Sequence, residues 1–173
     1  MRKIYLKVLI LGFAVVLLSC KEKAIYQDAS QSVEARVNDL LSKMTLEEKI
    51  ALISGDTTGF DTPAIERLGI PAIRITDGPL GVRNGQATSF ISGVAMAATW
   101  DTALVKEIGV AMGKETKAKG RNYLLGPCVG IHRFPLNGRN FESYSEDPYL
   151  TSRMAVNWIR GVQSEKVITS VKH

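Results

Sequence analysis

Residues 138–148 read Gly138-Arg139-Asn140-Phe141-Glu142-Ser143-Tyr144-Ser145-Glu146-Asp147-Pro148. This run combines carboxylates, an arginine, aromatic rings and hydroxyl groups, but its apolar residues follow no helical or strand period. It is therefore predicted to be a loop, and its side chains suit the binding of a polyhydroxylated ligand. A short apolar segment, Tyr123–Leu125, precedes the loop, and proline at position 148 favours the first turn of a helix.

The segments on either side of this loop alternate between strand and helix patterns. Strands are predicted at 72–76, 123–125 and 167–171. A helix capped by Asp101 and ended by Gly120 lies between the first two strands, and the helix that begins at Pro148 leads to the third. Strands that alternate with helices predict parallel pairing and an α/β fold.

The segments before the first strand have helical signals of their own. Apolar residues from Val33 to Met44 recur with the spacing of one helix face. The tetrapeptide Thr45-Leu46-Glu47-Glu48 has the pattern of a capping box and predicts a second helix. A short helix is predicted at 63–68, and no element is predicted in the glycine-rich stretch between Pro79 and Asp101.

The first residues have the pattern of an export signal. Three basic residues precede an apolar run at 8–18, which is shorter than the roughly 20 residues that span a bilayer. The run ends in Leu17-Leu18-Ser19-Cys20, which resembles a bacterial lipobox; an ordinary secretory signal with an incidental cysteine is the alternative. We expect a lipoprotein signal at 1–19, a polar tether at 20–32 and one domain at 33–173. The protein would be anchored to a bacterial membrane by lipid on Cys20, in the periplasm or at the cell surface.

Charge and cysteine content exclude some classes of protein. The 173 residues carry a net charge of +5, and loss of residues 1–19 would lower it to +2, so the sequence gives no support for nucleic-acid binding. With Cys20 lipidated, Cys128 would be the only free thiol and no intrachain disulfide could form. An apolar content of 45% is that of a protein with a packed core.

Ionisable side chains follow each predicted strand. Asp77 follows the first, the Arg139–Glu146 loop follows the second, and Lys172-His173 follow the third. The carboxyl ends of parallel strands share one edge, where ligands bind in α/β folds. Simpler interpretations remain open: Asp77 could close a turn, and Arg139 could pair locally with Glu142 or cap a neighbouring helix.

The sequence offers no cofactor site. Cys128 and His132 have a C-x-x-x-H spacing, but no second pair completes a zinc site, and neither familiar phosphate-binding glycine loop is present. We therefore expect neither a metal nor a cofactor.

The ordered motifs resemble glycoside hydrolase family 3, the β-glucosidase and exo-glucanase family. Residues 138–148 are similar to its G-R-[NC]-[FY]-E-x-[YF]-S-E-D-P signature, and the resemblance covers essentially 33–173. Three further segments agree with it: Arg67-Leu68-Gly69-Ile70-Pro71 leading to Asp77-Gly78-Pro79, Leu125-Gly126-Pro127 leading to Ile131-His132-Arg133, and Val171-Lys172-His173. Cys128 and Gly130 stand where the family often has Gly and Asn.

The resemblance implies the first part of a (β/α)8-like barrel and a retaining, exo-acting hydrolase of β-linked glucosides and oligosaccharides. Asp77, Arg139, Lys172 and His173 would bind sugar hydroxyls, and Glu142 would orient Arg139 and Lys172.

A complete barrel takes about 250 residues, and the family's S-D-[WY] nucleophile segment does not occur in this sequence. We expect the nucleophile Asp and the acid/base Glu downstream of His173, in a longer enzyme of which this chain is an inactive, association-prone part. A non-catalytic glycan-binding lipoprotein or the product of a decayed gene is the alternative.

Overall fold

The computed structural model describes residues 23–173, so the predicted signal and Cys20 lie outside the described residues. The chain divides into two compact units, with the boundary between Ile50 and Ala51. Among residues 23–173, no helix has the length and apolar character needed to cross a membrane.

The first unit contains a 3-10 turn, Ile25–Gln27, and helix α1, Val33–Lys43. The turn lies against the helix, because the Tyr26 amide donates to Asp39 at 3.0 Å and Arg36 Nε donates to the Tyr26 carbonyl at 3.1 Å. This turn falls in the segment predicted to be a tether, and the proposed boundaries at 19 and 32 stay predictions.

Helix α2, Leu46–Ser54, begins with the predicted capping box. The Thr45 amide donates to Glu48 Oε2 at 2.9 Å, and the Glu48 amide donates to Thr45 Oγ1 at 3.2 Å. The reciprocal pair satisfies two amides that a helix start would otherwise leave without partners.

The second unit has a parallel three-stranded sheet in the order β1-β2-β3, formed by Ile75–Asp77, Tyr123–Cys128 and Ile168–Lys172. Helices α3, Gly93–Ala98, and α4, Thr102–Ala118, lie between β1 and β2 in the chain, and α5, Pro148–Ser164, lies between β2 and β3. The predicted α/β class and parallel pairing are confirmed.

Local end signals act where the sequence predicts them. Asp101 caps α4 by accepting from the amides of Ala103 and Leu104 at 2.9 and 3.0 Å. Gly120, with a φ of +71°, follows the end of α4, where its left-handed backbone is easily adopted only by glycine. Pro148 opens α5.

The bounds of several predicted elements were wrong, and the third strand, predicted at 167–171, is Ile168–Lys172. The strand predicted at 72–76 is Ile75–Asp77, because the Arg74 amide donates to the Asn122 side chain at 2.7 Å instead of to a strand. The helix predicted at 63–68 is only a 3-10 turn, Glu66–Leu68, since Ile65 and Ile70 form a backbone bridge around it.

Strand β2 extends three residues beyond the predicted 123–125. A register shift at Leu125/Gly126 restores its pairing with β3, so that Cys128 lies opposite Lys172. Helix α3 was not predicted, although Ser92 caps it by accepting from the Ala95 amide.

Asp61 anchors the start of β1. This carboxylate is 5% exposed and accepts from the Ile75 amide at 2.8 Å, from Arg121 at 2.8 and 2.9 Å and from Arg74 at 3.1 Å. Burial alone would raise the pKa of Asp61, but these donors outweigh it and hold the pKa below its ordinary value. Asp61 therefore stays ionised and ties β1 to the loop before β2.

Glycines allow α4 and α5 to pack closely. A Cβ at Gly161 would lie 2.2 Å from the Lys106 carbonyl oxygen, and one at Gly109 would lie 2.4 Å from the Trp158 carbonyl oxygen. Trp158 is fully buried under the sheet, and its indole N–H contacts the Met112 sulfur at 3.3 Å. This helix pair forms much of the core that supports the strands.

We predict that Gly161→Ala destabilises the protein by about 2 kcal/mol. The clash with a backbone oxygen places overpacking at the upper end of its usual range of about 1–3 kcal/mol, and the helix preference of alanine over glycine offsets roughly 1 kcal/mol of it. Gly138→Ala is the matched control, since a Cβ there meets nothing within 4 Å. Urea denaturation compares both variants with the parent chain; equal stabilities for Gly161→Ala and the parent would contradict the packing described.

Candidate functional site

The structure brings the predicted site residues to one edge of the sheet. Asp77 ends β1, Lys172 ends β3, and His173 follows it. Arg139 and Glu142 lie in the loop after β2, which contains a 3-10 turn at Asn140–Glu142. Because the three strands are parallel, their carboxyl ends converge, and residues far apart in sequence come together.

Lys172 joins the first and third of these strand ends. Its ammonium group donates a hydrogen bond to Asp77 Oδ1, and the lysine side chain is 14% exposed. The other Asp77 oxygen accepts from Arg83 Nη1 at 3.2 Å. Desolvation works to raise the pKa of Asp77, but the contacts with Lys172 and Arg83 lower it overall, so the carboxylate is ionised at neutral pH.

Arg139 forms a two-point contact with Glu142. Its Nε donates to Oε1 at 2.7 Å and its Nη2 donates to Oε2 at 3.0 Å. The hydrogen bond from Arg139 is the main reason that the pKa of Glu142 lies below its ordinary value. The third nitrogen, Nη1, lies 3.2 Å from His173 Nε2. A guanidinium only donates, so Nε2 accepts, and a neutral His173 ring carries its proton on Nδ1.

The local interpretation of Arg139 is correct in part. Arg139 does pair with Glu142, three residues away, and it also contacts His173 from a different strand end. The Asp77 carboxylate contacts Lys172 and Arg83, and the Asp77 carbonyl accepts from the Arg83 amide at 2.9 Å. Neither side chain is occupied by local contacts alone.

An open cavity of about 570 Å³ lies over this cluster. Its wall includes Asp77, Arg83, Arg139, Phe141 and Glu142, together with the loop that follows β1. Phe141 is 48% exposed and offers an apolar face beside charged donors and acceptors. A sugar ring has hydroxyl edges and an apolar face, so this combination of groups matches its chemistry.

Sequence reasoning missed Arg83 and Phe141 as parts of this wall. Arg83 comes six residues after Asp77, beyond the predicted turn, and nothing in the spacing shows that the chain folds back. Phe141 stands inside the predicted site loop, but its residue type alone does not separate a core ring from an exposed one. The structure shows both at the cavity.

Helix α3 supports the site loop through a glycine. A Cβ at Gly93 would lie 2.4 Å from the Glu142 carbonyl oxygen and 2.8 Å from that of Ser143. Only a residue without a side chain allows the helix start to approach the loop this closely. The position of Glu142, and of the Arg139 side chain bound to it, therefore depends on α3.

Among residues 23–173, no group of three or more His, Cys, Asp and Glu side chains is arranged to hold a metal ion. The thiol of Cys128 lies 3.5 Å from Glu142 Oε2, whereas His132 Nε2 is buried without a hydrogen-bond partner. Cys128 and His132 line different cavities.

Comparison with known proteins identifies the family. Residues 43–173 match the glycosyl hydrolase family 3 N-terminal domain, and the chain belongs to this family. A β-glucosidase of Rhizobium radiobacter is 50% identical over 144 residues, which are 79% of this chain and 18% of that protein. A β-glucosidase of Bacteroides ovatus is 40% identical over 176 residues, covering 94% of this chain and 23% of the relative.

Solved structures agree with the family assignment. The chain is similar to β-glucosidase 3B of Thermotoga neapolitana in complex with α-D-glucose, with a TM-score of 0.71 and 38% identity over 80% of this chain and 23% of that one. A β-glucosidase of Streptomyces venezuelae in complex with D-glucose gives a TM-score of 0.75 and 39% identity, over 80% and 19%. The chain thus spans about a fifth of the length of these proteins.

We predict that Gly93→Ala displaces the Glu142 backbone and weakens its contact with Arg139, so that any glucose affinity of this cavity falls by about tenfold or more through loss of a charge-assisted hydrogen bond. Glucose titration by NMR measures this change, and the Gly138→Ala variant serves as the control from the same loop region. Unchanged affinity in Gly93→Ala would show that α3 does not position the loop.

Proposed function

We propose that this chain forms part of the innermost sugar subsite of a retaining, exo-acting β-glycosidase of the β-glucosidase type. Asp77, Arg139, Lys172 and His173 bind hydroxyls of the terminal sugar, and Glu142 orients Arg139. The observation that carries the proposal is an open cavity lined by Asp77, Arg139 and Glu142. The third strand end supports this lining, because Lys172 contacts Asp77 and His173 contacts Arg139. The glucose complexes of the related enzymes support the choice of sugar.

The charge states explain how such a subsite binds a neutral ligand. Carboxylates accept hydroxyl protons, whereas Lys172 and Arg139 donate to hydroxyl oxygens. Lys172 pairs with Asp77 and Arg139 pairs with Glu142, so the charges of these four donors and acceptors compensate one another. Arg83 is added to the set through its contact with Asp77.

Neither Asp77 nor Glu142 suits the role of proton donor. Both have lowered pKa values, so both are ionised at neutral pH, whereas a general acid in this mechanism needs a raised pKa. We propose that the nucleophile Asp and the acid/base Glu are supplied by residues beyond this sequence, in a protein whose barrel includes the three strands described.

The site is tested by substitution of the ion pair that joins β1 to β3. We expect Lys172→Met and Asp77→Asn each to weaken glucose binding about tenfold to a hundredfold, through loss of charge-assisted hydrogen bonds. The controls are Lys114→Met and Glu107→Gln, two exposed positions of α4. Thermal denaturation of each variant separates lost binding from lost folding. Glucose affinity that is equal in parent and Lys172→Met would contradict the proposed subsite.

Activity is tested on the complete protein that the gene encodes, with 4-nitrophenyl β-D-glucoside as substrate. The proposal predicts hydrolysis with β-glucose as the first anomer seen by NMR, since a retaining mechanism preserves the configuration. Glucose binding without hydrolysis would instead indicate a glycan-binding protein.

We also propose that lipid on Cys20 anchors the protein to a bacterial membrane, in the periplasm or at the cell surface. The support is the sequence Leu17-Leu18-Ser19-Cys20 after an apolar run with a basic start. Metabolic labelling with an alkyne fatty acid in a bacterial host is expected to label the parent and Cys128→Ser but not Cys20→Ser. Secretion of an unlabelled parent protein would favour an ordinary secretory signal.

A further inference from the structure

Cys128 lies beneath the proposed subsite, at the point where two ion pairs meet. It ends β2, is 3% exposed and is paired in register with Lys172 of β3. Its side chain lines a second cavity of about 210 Å³ together with Arg139, Glu142 and His173. The Asp77–Lys172 pair and the Arg139–Glu142 pair therefore flank this one thiol.

The thiol contacts one particular oxygen of the site. Cys128 Sγ lies 3.5 Å from Glu142 Oε2, and the same oxygen accepts from Arg139 Nη2 at 3.0 Å. The other carboxylate oxygen, Glu142 Oε1, accepts from Arg139 Nε at 2.7 Å. The carboxylate is thus held by donors from two elements, the site loop and the end of β2, and its orientation fixes the plane of the guanidinium.

The protonation of Cys128 fits a donor rather than a nucleophile. Burial raises the pKa of the thiol to about 11; Lys172, the next largest influence, lowers this pKa, and the nearby carboxylate of Glu142 raises it. The S–H group is therefore intact at neutral pH and can donate to the ionised Glu142.

We propose that Cys128 is a positioning residue, whose thiol holds the Glu142 carboxylate and thereby orients Arg139 toward a sugar hydroxyl. The sugar ligand in this inference rests on the proposed function, whereas the effect of Cys128 on Glu142 does not depend on it. The family resemblance suggests glycine at this position, which would leave Glu142 Oε2 without this donor. Cys128 thus gives this chain a contact that a glycine-containing relative would lack.

The charged groups around Glu142 determine its pH dependence. Arg139 faces it from the site loop and Lys172 from β3; both lower its pKa, as does the thiol of Cys128 from β2. Asp77 of β1 lies near enough to act on Arg139. Because the folded-state pKa of Glu142 is lowered, its contact with Arg139 is present above the ordinary pKa and is lost as pH falls through the lowered value. Removal of the thiol moves this loss to higher pH.

The test compares Cys128→Ala, which removes the donor, with Cys128→Ser, which keeps a donor. The first measurement is the pKa of the Glu142 carboxyl group, followed through the ¹³C chemical shift of its carboxyl carbon in an NMR pH titration. The proposal predicts a higher pKa in Cys128→Ala than in the parent and a value restored in Cys128→Ser. A mere packing role for the thiol leaves this pKa unchanged, and that result would overturn the proposal.

The second measurement is glucose affinity across the same pH range. Cys128→Ala is expected to bind about threefold to tenfold more weakly, as for the loss of one modest hydrogen bond, with its acidic limb at higher pH and with rescue by Cys128→Ser. If the parent binds no glucose, the proposed function fails, and the Glu142 titration still decides the role of Cys128. If the parent binds and Cys128→Ala binds equally at every pH, the positioning role fails alone.

Discussion

The contact between Lys172 and Asp77 joins the ends of two strands that are not neighbours in the sheet. Strand β2 lies between them, so the pair crosses the central strand and links positions 95 residues apart. Removing two charges from water is costly unless each finds good partners. Asp77 has a second partner in Arg83, and the lysine is mostly buried. The pair therefore holds Asp77 in place at the wall of the cavity, which also includes Arg139 and Glu142.

Close contacts between a helix and neighbouring backbone, made possible by glycine, position the rest of the site. Gly93 allows α3 to touch the carbonyl groups of Glu142 and Ser143, and Gly161 allows α5 to touch α4. The first contact holds the loop that carries Arg139, and the second forms the layer on which the sheet rests. Both depend on the absence of a side chain rather than on a favourable group, so the stability of the core and the geometry of the site follow from close packing.

Local signals made part of this structure predictable. Asp101, Pro148 and Gly120 act through the backbone next to them, so their roles as cap, helix opening and helix end could be inferred without tertiary contacts. The parallel order followed from strand–helix alternation, and the convergence of charged residues followed from the parallel order. The extent of β2 could not be inferred, because its last pairing uses a register shift against β3. Arg83 was also missed, because its contact with Asp77 depends on a reversal of the chain that the sequence spacing does not show.

The central claim is that one sugar is bound by groups from three strand ends. A crystal structure of the protein soaked with glucose tests it most directly. The account predicts one glucose in the cavity beside Phe141, with hydroxyls in hydrogen-bond contact with Asp77, Lys172, Arg139 and His173. Glucose bound elsewhere, or in the cavity without contact to Asp77 and Lys172, would contradict the account.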